Sequence, residues 1–315
     1  MKPKTIQSIL AAALLAPGAL FAQTTATTTP VGYYVQEAIA GGNLIVPGLV
    51  KADAFAGVIT GSGATTLSLA ANSLTAGAYD DGPVYPTHYV EIVTAGSNQG
   101  VVIDIVSNTA SQITLATDIS GLSLVGNERI VIRKHNTIAS VFADTESTVT
   151  LFTDAVTIPN PDGSSDTYYL IGAGSWSSDF TVADGNDRPI PPGSGFVYDA
   201  AADADLTFSG TVKSSPVVVQ LAGNSVVNIV GPVNPLVGSS KQISLLGFQN
   251  MLAFTDSITT YAPGDLVTPL FTYYADGAGN VTTDFTTPST DVFPYTYGAV
   301  LSAAADTAIR LSSGL

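Results

Sequence analysis

The chain has 315 residues, no Cys, 10 Lys+Arg against 25 Asp+Glu, and 11% charged beside 45% hydrophobic residues. So apolar and weakly charged a composition folds instead of staying disordered, and without Cys it excludes disulfides and thiolate metal sites. The acidic excess, with no basic patch to neutralise phosphates, excludes nucleic acid as a partner.

Lys2 and Lys4 precede the apolar run Ile9 to Leu15, and a Pro17-Gly18 break leads to Ala19-Leu20-Phe21-Ala22. This is the layout of a secretory signal peptide, residues 1–22, cleaved after a small residue. The run falls short of the roughly 20 residues that span a bilayer. No later segment reaches that length, so no transmembrane span is expected after cleavage. The expected location is the periplasm, the cell surface or the extracellular space. Residues 23–30, mostly Thr, read as a flexible lead-in.

From Val31 onward, short β-branched runs alternate with Gly, Pro, Asn and Asp clusters, and a 3.6-residue period is almost absent, which predicts an all-β chain. The most regular part holds six strand-like runs: Val58–Thr60, Thr66–Leu69, Tyr89–Val93, Val101–Val106, Gln112–Leu115 and Arg129–Arg133. They predict a small six-stranded β-barrel over residues 55–134, because closure hides the strand edges. In the last run Ile130 and Ile132 share one face, and Arg129, Val131 and Arg133 the other, the pattern of a sheet with one buried face.

An internal repeat surrounds this segment. Leu151-Phe152-Thr153-Asp154-Ala155-Val156 recurs as Ala253-Phe254-Thr255-Asp256-Ser257-Ile258, offset by 102, while Thr167-Tyr168-Tyr169 matches Thr272-Tyr273-Tyr274 and Ser178-Asp179-Phe180 matches Thr283-Asp284-Phe285, offset by 105. Pro192 and Pro294 restore the first offset, so the second copy carries a three-residue insertion that is later compensated. Upstream, Gly42 to Pro47 resembles Asn228 to Pro232, and Ile138 to Val141 resembles Ile243 to Leu246. The predicted architecture is two homologous β-sandwich modules, residues 31–54 plus 135–212 and residues 213–315. The barrel is inserted into the first of them, between a Pro-ended strand and a short helical turn. Such an insertion costs little, since loop-closure entropy grows only logarithmically with length.

Candidate chemistry is sparse. Of the two histidines, His88 and His135, the latter closes an Arg-Lys-His run where the chain leaves the barrel and is assigned a structural hydrogen bond at the junction, because a zinc or catalytic site needs convergent partners. No Gly-x-Ser-x-Gly elbow or phosphate loop occurs. A pair of carboxylates would suffice for a glycan hydrolase, but no Asp or Glu is read as lying in an apolar stretch that would raise its pKa. Asp184-Gly185-Asn186-Asp187 gathers oxygens suited to calcium, with Asp184, Asn186 and Asp187 as candidate ligands, although Asp-Gly pairs are first of all turn formers. Asp162 to Asp166 is a second such loop. Trp176, Tyr168 and Tyr273 are candidate sugar-stacking residues, set against the alternation that places one ring of each Tyr-Tyr pair in the core.

Several stretches resemble a family of exported proteins of unknown function found chiefly in Verrucomicrobia: Pro30 to Tyr33, Gly42 to Pro47, Tyr89 to Val93, Ile105 to Thr109, Ile132 to His135, Thr137 to Phe142, Trp176, and Pro192 to Phe196. The chain departs from that pattern at Asn136, where an aromatic is expected, and at Pro232 to Pro235. A fainter similarity, through Pro192 to Phe196, Phe208 to Gly210 and Asn228 to Gly231, is to β-modules of secreted Bacteroidetes proteins. The resemblance implies export and organisation but no chemistry.

Function is therefore expected to be non-enzymatic: a structural, adhesive or glycan-binding protein of the cell envelope or extracellular space, with polysaccharide or envelope and matrix proteins as partners. Cofactors are expected to be none, apart from the calcium considered above. The alternatives are a carboxylate-based glycan hydrolase and, disfavoured, an outer-membrane β-barrel, whose strands would repeat at about ten residues.

Overall fold

The computed structural model describes residues 31–143, 149–172, 174–223, 226–231, 233, 251–276, 280–284, 286–289 and 298–311. The leader, the Thr-rich lead-in and the repeat partners Pro232, Ile243 to Leu246, Phe285 and Pro294 lie outside the described residues.

The chain opens with β1 (Val31–Ala38) and β2 (Gly41–Ile45). It then runs through β3 (Asp53–Ser62), β4 (Thr66–Leu69), β5 (His88–Ile92), β6 (Val102–Asn108), β7 (Gln112–Leu115) and β8 (Arg129–Lys134). These six close into a barrel of order β3-β4-β7-β6-β5-β8. Its interior is filled by Ile59, Leu67, Val90, Ile105, Ile113 and Ile132, all fully buried, each worth about 1.5–3 kcal/mol relative to exposure. Apolar side chains thus point inward, the reverse of a membrane barrel, whose lipid-facing surface is apolar. No helix among the described residues is long and apolar enough to cross a membrane.

On leaving the barrel the chain makes β9 (Asn136–Thr137) and a one-turn helix, α1 (Ile138–Phe142). The helix starts in a capping box: Ser140 N–H donates to Thr137 Oγ1, and Thr137 N–H donates to Ser140 Oγ. Asn136, where the resemblance expects an aromatic, donates to the Leu49 carbonyl at 2.8 Å and so ties the exit of the barrel to its entrance. The first module is completed by β10 (Ala155–Pro159), β11 (Ser165–Gly172), β12 (Ser175–Ser177), β13 (Pro189–Ile190), β14 (Phe196–Ala200) and β15 (Ala204–Thr211). The second contains β16 (Val217–Leu221), β17 (Asn228–Val230), β18 (Ser257–Ala262), β19 (Asp265–Ala275), β20 (Val281–Thr282), β21 (Ala299–Ser302) and β22 (Thr307–Leu311).

Both modules are lopsided sandwiches with one topology. A five-stranded sheet, β12-β11-β10-β14-β2 in the first and β20-β19-β18-β21-β17 in the second, faces a two-stranded sheet, β1-β15 or β16-β22. The duplication reaches single hydrogen bonds. Asn43 Nδ2 donates to the Ile39, Gly41 and Tyr198 carbonyls, as Asn228 Nδ2 does to Ala222, Val226 and Leu301. Asp154 Oδ2 accepts from Thr150 N–H as Asp256 Oδ2 does from Leu252 N–H.

The modules meet through equivalent surfaces, as in an isologous interface. Leu44 and its counterpart Ile229 share a small core with Val46, against which Val197, Val300 and Tyr261 pack. Around this seam each module's hairpin reaches for the other's edge strand. The β18–β19 hairpin, which carries the three-residue insertion, docks closely: Gly264 bridges to Gly42 and donates to Asn43 Oδ1 at 3.2 Å. A Cβ on Gly41, whose φ is +107°, would lie 2.5 Å from the Gly264 carbonyl oxygen, so only glycine fits there. The shorter β10–β11 hairpin stands off from β17.

The barrel does not hang free. Val218 N–H donates to the Gly100 carbonyl at 2.8 Å, Val102 packs on the second module's core, and Tyr85 OH lies 3.0 Å from Tyr168 OH. This explains why Val131 and Arg133, assigned by alternation to an exposed face, are buried: the modules cover that side of β8.

Candidate functional site

The aromatic residues singled out from sequence are core residues. Trp176 is 1% exposed and packs its ring on Phe142, 4.8 Å between centroids. Tyr168 and Tyr273 are each 3% exposed, so none of the three can offer a ring face to a sugar. Alternation decides this, but which ring of each pair turns inward depends on where the two-stranded sheet lies. Tyr168 and Tyr273 face it, and their neighbours Tyr169 and Tyr274 turn the other way. The Tyr168 hydroxyl bonds to Tyr85 of the barrel, and burial together with that bond raises its pKa above the usual phenol range.

The Asp184 to Asp187 loop uses its oxygens internally. Asp184 accepts from Ser178 N–H at 2.9 Å and from its hydroxyl, and Asn186 Oδ1 accepts from Trp176 N–H at 2.7 Å. Gly185 lies flat on Tyr168, where a Cβ would fall 2.4 Å from Cδ1. Asp187 is exposed beside them. In the other loop Asp162 Oδ1 accepts from Ser164 N–H and hydroxyl. These are turn-forming bonds. No group of three or more His, Asp or Glu able to hold a metal forms among the described residues.

Sequence reasoning missed a buried charge cluster at the barrel–module junction. Glu91, in the apolar run of β5, is fully buried. It accepts from Arg133 Nη1, Lys213 Nζ and, at 2.9 Å, Ser215 Oγ. Arg133 also pairs with Asp53 at 2.8 Å. Burial lowers the Lys213 pKa, opposed by Glu91, while Glu91 and Asp53 keep Arg133 above its ordinary value despite burial. The signal was present in Tyr89-Val90-Glu91-Ile92-Val93, a single carboxylate in an apolar strand, but its partners Arg133 and Lys213 lie 42 and 122 residues away. With Glu91, Arg133 and Lys213 buried and Asp53 at its exposed edge, this cluster links barrel to modules. His135 is also buried there, with Nε2 2.9 Å from Asp104 Oδ1.

Two surface features remain. The first is a pair of aromatic corners. Phe152 and Phe254, equivalent in the repeat, adopt φ of 59° and 60° and are 57% and 63% exposed. Phe180, with φ 66°, is 46% exposed. Positive φ is rare and costly for a bulky side chain, about 1–3 kcal/mol, and such strain concentrates at functional positions. Asp179 holds the Phe180 turn by accepting from Thr181 N–H, Val182 N–H and the Thr181 and Ser177 hydroxyls, which lowers its pKa to about 2. The Phe180 ring stacks on Tyr169 at 4.4 Å and lies 6.4 Å from Phe152, making an aromatic ledge on the first module.

The second feature is the cleft between the modules. A cavity of about 810 Å³ lies where the short β10–β11 hairpin stands off from Val226 and Val227, and one of about 500 Å³ lies beside Gly264 to Val267. Both have Thr157 and Val197 in their walls, so they are neighbours across the outer face of the first five-stranded sheet. Tyr169 lines the smaller, bringing the ledge to its rim. The carboxylates along the cleft are Asp162, Asp199, Asp265 and Asp306. Hydrogen bonds hold Asp162 and Asp265 below the usual carboxylate range, opposite to what a general acid needs. Asp81, whose pKa burial and neighbouring carboxylates raise, lines neither cavity. No protein-family model, curated protein or solved structure matches the chain.

Proposed function

We propose that this chain is an exported, non-enzymatic protein of the cell envelope or extracellular space, which makes structural, adhesive or glycan contacts through aromatic corners on its two sandwich modules. One observation carries the reading: an exposed phenylalanine held at positive φ, Phe152 and Phe254, occupies the same corner of both repeats. Each closes an equivalent turn, with Phe152 N–H donating to the Leu170 carbonyl and Phe254 N–H to the Ala275 carbonyl, and a ring projecting from such a corner is a stacking platform. The lowered pKa of Asp162 and Asp265 does not suit them to act as general acids, and the hydroxyl-rich, acidic surface suits neutral polysaccharide or matrix over polyanions.

The test is binding of residues 23–315 to a broad panel of immobilised polysaccharides and matrix proteins, with and without calcium, followed by chromatography of bound sugars. Retention without cleavage, weakened in the Phe152→Ala and Phe254→Ala double variant, is the expected result. Cleavage products would replace this reading with the hydrolase alternative, and retention unchanged in the double variant would remove the corners from it.

A further inference from the structure

The aromatic corners leave the cleft between the modules without a role, and the cleft has its own origin in the duplication. Two equivalent hairpins clasp the two equivalent edge strands across a seam of equivalent residues. The clasp is lopsided because the β18–β19 hairpin is three residues longer. That hairpin reaches the backbone of Gly42. On the other side Gly163, at the tip of the short hairpin, only approaches Val226, where an added Cβ would come within 3.5 Å of a methyl group. The larger cavity is what the shorter loop leaves unfilled.

Its lining is selective in kind. Among the described residues no Lys, Arg or His borders either cavity, while four aspartates do. Thr157 and Thr167 hydroxyls, 2.9 Å apart, form part of the floor, Ser164 and Ser165 lie on one wall, and the Tyr169 ring, backed by Phe180, stands at one end. Carboxylates and hydroxyls accept and exchange hydrogen bonds with sugar hydroxyls, an aromatic face stacks on a pyranose ring, and the negative charge repels an acidic ligand.

We infer that the cleft between the modules binds one extended, uncharged hexose or pentose chain, running from the Tyr169–Phe180 ledge across Thr157 and Thr167 to the gap under the short hairpin. This rests on the glycan reading and deepens it, by naming the site and the charge class of the ligand. The neutral chain is favoured over a basic peptide because three of the four carboxylates are already engaged within the protein: Asp162 with Ser164 and Asp265 with Val267 and Thr268 in turns, and Asp306 with Gly223 across the fold.

The experiment is calorimetric titration of residues 23–315 with neutral hexasaccharides (cellohexaose, laminarihexaose, mannohexaose and xylohexaose), an alginate hexamer, a chitosan hexamer and hexalysine. Three variants accompany the parent: Tyr169→Ala, Val227→Trp, which fills the cavity from an exposed position, and replacement of Pro159–Ser165 by the sequence of Tyr261–Leu270. Circular dichroism and melting confirm that each is folded. Binding of at least one neutral oligomer, weakened about tenfold by Tyr169→Ala and by Val227→Trp and lost in the hairpin exchange, is the expected result. Neutral binding that survives all three folded variants but fails in the Phe152→Ala and Phe254→Ala double variant would overturn the cleft and leave the corner reading standing. Tighter binding of the alginate, chitosan or lysine oligomer would overturn the charge argument, and no binding of any oligomer would overturn the inference outright.

Discussion

At the scale of single residues, duplication supplies an internal control. Asp154 accepts hydrogen bonds from Thr150 N–H, Ala201 N–H and, at 2.6 Å, Tyr198 OH, whereas Asp256 accepts from Leu252 N–H and Ala304 N–H, and the strand position of Tyr198 is taken by Leu301, which has no hydroxyl. Replacing Asp154 by Ala therefore orphans a buried hydroxyl as well as backbone donors. It is expected to cost about 2–4 kcal/mol by urea unfolding, more than Asp256→Ala, because unpaired buried donors keep their full desolvation penalty. Asp179 makes a pH prediction of definite sign. Its folded pKa lies below the ordinary 3.8, so the bonds that pose Phe180 are fully formed above that value and fade as the pH falls toward about 2. Ring-current shifts of Tyr169 and Phe180 in NMR spectra should collapse over that interval while those of the Phe142–Trp176 core persist, and Asp179→Asn should abolish the transition.

At the scale of elements, the barrel is held by one strand's buried charge. Glu91 on β5 neutralises Arg133 of β8 and Lys213 of the inter-module segment, and all three are buried. Glu91→Ala leaves Lys213 without a carboxylate and Arg133 with Asp53 alone, and is expected to lower stability by about 3–5 kcal/mol, while a Glu91→Met, Lys213→Met pair should recover much of the loss, because an apolar pair removes the desolvation penalty along with the attraction. Urea midpoints of the two variants measure it. The strands themselves were legible from alternation: all six barrel runs are strands, with ends displaced by a few residues at β3 and β6. What alternation could not show is that β8 is buried on both faces, since its outer face is covered by residues distant in sequence.

At the scale of the whole molecule, the barrel's entrance and exit lie side by side, with Asp53 paired to Arg133 across β3 and β8. Deleting residues 55–134 and bridging the ends with a short Gly/Ser linker is therefore expected to leave a folded two-module protein. Its melting temperature should be lower, because β16 loses the Gly100 contact and Lys213 loses Glu91. An insoluble chain by chromatography would contradict the insertion. Periodicity, turn residues and the repeated Phe-Thr-Asp and Tyr-Tyr segments carried the all-β class, the six-stranded barrel and the paired modules, and the change of offset even located the longer hairpin. The site was far less legible. Trp176, Tyr168 and Tyr273, weighed as stacking rings against a place in the core, are core. Phe152 and Phe180 are exposed and Tyr169 half-buried beside them, and Glu91 pairs with Arg133 of its own barrel and with Lys213 across the fold. Sequence by itself determined the strands, the repeat and the inserted barrel, because pleat, turn geometry and loop length act within a few residues. Only the tertiary structure decided which ring of each pair is buried, which charges meet and where a cleft stays open, because these depend on surfaces that come together only when distant segments pack.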